Sequence, residues 1–206
     1  MMKFKSIRMK IAFWCGFCLI IASGIIVTYS SVMLRQSILH EAEQSALAIA
    51  NNERALVQSK IETALVTARA LAATFSTVKN DSGAPKLTRD TANQILKEIA
   101  ESNPSFLGVY TLWEPNAFDG LDQQFINQTG HDQTGRFIPY WCRDDQGNIG
   151  LEALVNYETP GDGDYYQIPK RTHQESILNP YLYTVQGKEL LLTSFVVPIL
   201  KNGAFQ

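Results

Sequence analysis

Charged residues are absent from Ile11–Leu34, 24 consecutive positions reading IAFWCGFCLIIASGIIVTYSSVML. As a helix, such a run rises about 36 Å, enough to cross a hydrocarbon core of about 30 Å with some tilt. The pattern then turns from uniform to periodic. Residues 35–76, 42 positions, contain no glycine and no proline. Leu47, Ala50, Arg54, Val57, Ile61, Ala64, Ala68, Leu71 and Phe75 recur there at spacings of three and four. The spacing predicts one long stem helix over 35–78, with an apolar stripe rich in small residues and charges opposite it. Small residues in such a seam fit close packing against another helix, from the same chain or from a second copy.

The stretch KNDSGAPK (79–86) reads as a loop by its turn formers. Thr88 then reads as the N-cap of a second helix whose buried face is Ala92, Ile95, Leu96 and Ile99, broken at Pro104. Beyond it the period shortens. Segments 106–113, 135–141, 151–158, 181–185 and 188–200 are rich in aromatic and branched residues and bounded by Gly, Asp, Asn and Pro, as strands are. Gln186–Gly187 predicts a tight hairpin between the last two, and Asn202–Gly203 predicts another. Only Ala204–Gln206 follows, so the second hairpin reads as lacking an arm and the chain as truncated in mid-domain.

Charge changes the picture once it is divided. Of 18 basic residues, Lys3, Lys5, Arg8 and Lys10 precede the apolar run with no acidic residue beside them, while all 20 acidic residues follow it. Positive charge stays on the cytoplasmic side, which predicts a cytoplasmic tail (1–10), a transmembrane helix (11–34) and everything later outside the inner (cell) membrane. The apolar run exceeds the roughly 7–15 residues of a signal peptide, so it reads as an uncleaved anchor. Cys15 and Cys18 fall inside it as small apolar lining, and Cys142 has no exported cysteine to pair with. Packing, and no disulfide, must hold the outer part together. Its acidic balance disfavours nucleic-acid binding.

Candidate chemistry is sparse. No glycine-rich phosphate loop, G-x-S-x-G, H-E-x-x-H or paired Cys/His spacing occurs, so neither an enzyme nor a cofactor is expected. His40, His131 and His173 are far apart and read as surface residues. Asn116, Asp119 and Asp122 read as turn formers rather than metal ligands, and Lys170 and Arg171 as solvated.

The order of elements, with FLGVYTLWEPNAFDGLD, GRFIPYW, GDYYQIPK and NPYLYTVQGKELLLTSFVVPI, resembles the start of a double Cache sensor. These are extracytoplasmic ligand-binding regions of bacterial methyl-accepting chemotaxis receptors, and of some histidine kinases and diguanylate cyclases. The resemblance runs from the anchor to residue 206 and rests on the order of elements, since no single motif is diagnostic. It implies an α+β chain: an N-terminal transmembrane helix, a long stem helix and an incomplete PAS-like antiparallel sheet. The membrane-distal module would occupy 87–206, with its last, central strand beyond the end of the sequence.

The resemblance also implies a pocket. In amino-acid-binding members an Arg close to Trp-Tyr clasps the ligand carboxylate, and a later Tyr and Asp hold its ammonium. Tyr165–Tyr166 matches the aromatic pair and Tyr181 the later Tyr. Asp164 stands near the place of the basic residue, Tyr183 where an Asp is often found, and Arg136 would serve only if its loop folds back. Aromatic faces beside a carboxylate favour a cation. The expected site is Trp141, Asp164, Tyr165, Tyr166, Tyr181 and Tyr183, for an amine, a quaternary ammonium, a zwitterionic amino acid or another small organic molecule. Expected partners are that ligand, the membrane, and a second copy through the stem helix. A membrane-anchored dimerising module remains the alternative function.

Overall fold

The computed structural model describes residues 7–77 and 87–206. The expected loop over 79–86 and the start of the basic tail lie outside the described residues. The chain divides into two units, Met1–Gln58 and Ser59–Gln206.

Helix α1 runs without interruption over Ile7–Ser76, 70 residues, so the membrane and stem segments form one helix. It contains a window of mean hydropathy 2.3 that is apolar and long enough to cross a membrane. Within the first unit its side chains are exposed, Leu47 and Val57 of the expected stripe included. The stripe becomes buried only in the second unit: Ile61, Ala64 and Ala68 are half-buried, and Leu71 and Phe75 join the core.

Helix α2 (Arg89–Ser102) starts where the sequence places it, with Thr88 Oγ1 accepting from the Thr91 amide at 3.2 Å. Its buried positions Ala92, Leu96 and Ala100 are spaced by four and face one side. Strands β1 (Gly108–Tyr110), β2 (Pro139–Arg143) and β3 (Ile149–Ala153) form an antiparallel sheet in the order β1-β2-β3. Because successive side chains face opposite ways, this sheet separates two cores. One contains Leu71, Phe75, Leu96, Val109, Trp113, Phe118 and Phe137. The other contains Ile138, Tyr140, Cys142, Leu154, Tyr165, Tyr166 and Tyr183.

Helix α3 (Asp164–Thr172) follows the sheet. Then come β4 (Ser176–Ile177), β5 (Tyr181–Val185), β6 (Lys188–Leu192), β7 (Phe195–Val196), β8 (Leu200–Lys201) and β9 (Ala204–Phe205). The pairs are β4–β7, β5–β6 and β8–β9. Both expected hairpins are present, with φ of 49° and 78° at Gln186–Gly187 and 52° and 78° at Asn202–Gly203, and the second, expected to lack an arm, has a short one in β9. Two successive positive φ values match the right-handed strand twist, which is why glycine sits second in each. The single strand expected over 188–200 is in fact three, parted at Thr193–Ser194 and at Val197–Ile199, where Pro198 cannot donate to a ladder. The fold is α+β.

Between β1 and β2 the long connection is tied down by Arg89. Its side chain is almost fully buried and donates to Asp119 (2.7 and 2.9 Å), Asp122 (2.6 Å) and the Gly135 carbonyl (2.8 Å). Asp119 and Asp122 thus anchor a loop, as their reading as turn formers implied, while also ion-pairing with a helix 30 residues away in sequence. His131 corrects the sequence reading: it is buried, stacked on Phe125 at 5.0 Å, with Nδ1 placed to donate to the Thr129 carbonyl at 2.9 Å.

Candidate ligand cavity

In the second unit the last turns of α1, strand β1, helix α3 and the β5–β7 region surround a cavity of about 450 Å³. The side chains on its wall include Tyr110, Tyr140, Tyr165, Tyr166, Tyr181 and Tyr183, and none of the lining residues is charged.

Local geometry explains how these rings converge. Tyr110 and Tyr140 are directly opposite in the β1–β2 register, so their rings meet edge-to-face at 6.2 Å. Tyr181 and Tyr183, two apart on β5, share a strand face and meet at 6.2 Å. Helix α3 supplies Tyr165, whose ring touches Tyr110 and Tyr183, each at 5.7 Å. Tyr140 and Tyr183 close the set at 6.0 Å. The entry to α3 depends on Gly163: a Cβ there would lie 2.4 Å from the Tyr157 carbonyl oxygen.

The hydroxyls are mostly committed. Tyr165 donates to the Val155 carbonyl and Tyr183 accepts from the Val155 amide at 3.1 Å, so both hold one backbone residue. Tyr181 bonds Ser194 at 2.8 Å. The Tyr110 hydroxyl is buried without a hydrogen bond of normal geometry, although Ser194 lies near enough to influence it. Burial raises the pKa of each of these phenols, that of Tyr181 to about 12, so they remain neutral at ordinary pH.

Tyr166 stands apart. Its hydroxyl accepts from Arg136 at 2.6 Å and from Lys170 at 2.8 Å, and donates to Glu114. One hydrogen and two lone pairs are then used, leaving Tyr166 its ring to offer. Arg136 is buried, lies 5.0 and 4.9 Å from the Tyr157 and Tyr166 ring centres, and pairs with Glu158 at 3.1 Å. Its loop does fold back, onto the hydroxyl of the wall residue Tyr166, while Arg136 itself is not among the lining residues. Lys170 is partly exposed, as its reading as solvated expects, and also pairs with Glu114 at 3.0 Å; Arg171 is exposed.

Of the six residues expected at the site, Tyr165, Tyr166, Tyr181 and Tyr183 line the cavity. Trp141 and Asp164 do not. Trp141 follows Tyr140 on β2 and therefore faces the other core, donating to Asn93 Oδ1 at 3.2 Å beneath Lys97. Asp164 opens α3 and accepts from the Gly161 amide at 3.3 Å. Tyr110 and Tyr140 are the wall residues that the sequence reasoning passed over. The alternation of β2 held a signal for Tyr140, because only one of two successive aromatics can face a given side.

Antiparallel sheets around a ligand-sized cavity, built on the last turns of a long helix, have the architecture of a sensor-type domain. Residues 92–206 match the family model described as "Methyl-accepting chemotaxis protein-like, first PDC sensor domain", and the chain belongs to this family. It is 34% identical over 128 residues to the methyl-accepting chemotaxis protein TlpQ of Pseudomonas aeruginosa, covering 57% of this chain and 18% of that one. The extracellular domain of the putative histidine kinase mmHK1S-Z3 superposes with a TM-score of 0.63 at 35% identity, covering 73% of this chain and 50% of that one. For methyl-accepting chemotaxis protein X the values are 0.59 and 27%, covering 80% and 61%. The chain thus spans under a fifth of the curated relative and about half of the first of these structures.

Proposed function

We propose that this chain forms the anchored, extracytoplasmic sensing part of a chemotaxis-type receptor, and that its tyrosine cavity takes a small organic amine. The carrying observation is five tyrosine rings linked by edge-to-face contacts around a space with no charged lining residue. Neutral aromatic faces attract a cation by about 0.5–2 kcal/mol each, more where water is excluded. A zwitterionic amino acid is the second reading and is less well served. The nearby cations Arg136 and Lys170 are already engaged by Glu114 and Glu158, so a ligand carboxylate finds no free partner among the described lining residues. The exposed half of the α1 stripe supports the further reading that two copies associate along the stem. The basic start of the chain supports a cytoplasmic N-terminus, with Ser59–Gln206 outside.

Isothermal titration of the full chain in nanodiscs tests the ligand class, using primary amines, tetramethylammonium, amino acids and uncharged isosteres of the amines. Amines are expected to bind and the uncharged isosteres to fail. Tyr165→Leu should weaken amine binding about tenfold, the loss of one good cation–ring contact. Trp141→Phe and Asp164→Asn should leave affinity unchanged, because both side chains lie off the cavity wall. Equal binding of an amine and its uncharged isostere would sink the proposal.

A further inference from the structure

One corner of the cavity brings together three hydroxyls from three elements. Tyr110 on β1, Tyr181 on β5 and Ser194 between β6 and β7 all line the space. Ser194 is held where the ladder changes partner, β6 pairing with β5 and β7 with β4. Its carbonyl accepts from the Leu178 amide at 2.9 Å, and the neighbouring Thr193 hydroxyl donates to the Leu178 carbonyl. The Tyr110 ring is fixed by its edge-to-face contacts with Tyr140 and Tyr165. The corner is therefore set by backbone and ring packing before any ligand enters.

Each hydroxyl has one hydrogen to donate. One of the three lies in the Tyr181–Ser194 bond, and whichever atom donates there, the other keeps its own hydrogen. The Tyr110 hydroxyl is buried and has no hydrogen-bond partner in the protein. Two hydrogens are thus left without a bonded acceptor among the described residues. An ammonium group only donates, so it can use the lone pairs of the corner but not these hydrogens. A carboxylate would accept them, yet no lining residue is charged to balance it. A neutral oxygen, with two lone pairs and no charge, matches the corner.

We infer that Tyr110, Tyr181 and Ser194 are specificity-determining residues, selecting an amine that also carries a neutral oxygen acceptor, as an amino alcohol or amino ether does. This rests on the amine reading above: the ring faces hold the charge and the hydroxyl corner reads the oxygen. A plain alkylamine of the same shape strands both hydrogens away from water, which weakens its binding. Apolar burial alone works the other way, because a methylene gains more than an ether oxygen on leaving water. A preference for the oxygen is therefore a signature that a merely greasy chamber does not produce.

Isothermal titration of the full chain in nanodiscs tests this with two matched pairs, ethanolamine against propylamine and 2-methoxyethylamine against butylamine, and with ethylene glycol. The oxygen-bearing member of each pair should bind at least about tenfold more tightly. In Tyr110→Phe that advantage should shrink below about threefold while the alkylamines hold their affinity. The variant keeps the ring and loses only an unpartnered hydroxyl, so its Tm should match the wild type. Ser194→Ala removes a second hydroxyl independently and should also shrink the advantage. Equal affinities within both pairs would overturn the inference and leave the amine reading standing. An oxygen preference that persists in full in both variants would overturn the assignment to these residues. Ethylene glycol binding as tightly as ethanolamine, with propylamine weak, would support the corner and remove the amine reading, and binding by none of the probes would overturn both.

Discussion

Arg89 shows how one residue orders a connection that has little regular structure of its own. Its guanidinium is almost fully buried, and removing it would strand Asp119 and Asp122 without their cation. The pKa of Asp119 reflects opposing causes: burial pushes it up, but hydrogen bonds from Arg89 and the Leu121 amide outweigh that and hold it below the usual value. Asp132 behaves alike, with burial outweighed by bonds from Tyr157, Thr134 and the Arg136 amide. A carboxylate depressed on folding contributes stability above its unfolded pKa of about 4, and that contribution disappears as pH falls through the lower folded value. Unfolding by urea between pH 7 and pH 2 should therefore show stability falling below about pH 4. Asp119→Asn should cost about 1–2 kcal/mol at pH 7 and flatten that fall. An undiminished acid slope in the variant would remove Asp119 from the account.

At the scale of elements, legibility in the sequence follows how local the determinant is. The Thr88 cap and the two hairpin turns were readable because each is decided within four residues. Helix α3 was not, since Gly161, Gly163 and Pro169 read as breakers in so short a window. Its position is set by Gly163 passing close to Tyr157 and by Tyr165 and Tyr166 packing on distant strands. Aromatic identity makes Trp141 a site candidate, but strand alternation turns it to the face opposite Tyr140. The Tyr166 network was invisible for another reason, joining Glu114, Arg136 and Lys170 across as many as 56 residues. Gly163→Ala tests how firmly α3 is seated. The added methyl would meet the Asn156 and Tyr157 carbonyls at 2.6 and 2.4 Å, so the helix must shift. Expected are a loss on the order of 2 kcal/mol by urea unfolding and a weakened near-ultraviolet tyrosine signal, as Tyr165 leaves its ring contacts. Wild-type values in both measurements would mean that the approach relaxes without moving the helix.

At the scale of the whole chain, α1 carries two unlike surfaces in sequence order: a membrane-length apolar segment, then a stripe that is exposed at Leu47 and Val57 in the first unit and buried at Leu71 and Phe75 in the second. Exposed apolar residues in register along a helix are satisfied by a second helix, and the small residue Ala50 within that stripe permits close approach. Cysteine substitution addresses both the pairing and the membrane orientation. In a background with Cys15→Ser and Cys18→Ser, Cys142 should stay silent, being buried with its thiol pushed up by burial to about 11. A cysteine introduced by Ala50→Cys should then react with a membrane-impermeant maleimide in intact cells, and one introduced by Arg8→Cys should react only after lysis. Mild oxidation should link the Ala50→Cys protein into a covalent dimer, whereas Glu53→Cys, off the stripe, should link poorly. Labelling of Arg8→Cys from outside would reverse the orientation. Equal cross-linking at the two stem positions would deny the stripe its role, because a specific seam brings one face together and a random encounter does not distinguish faces.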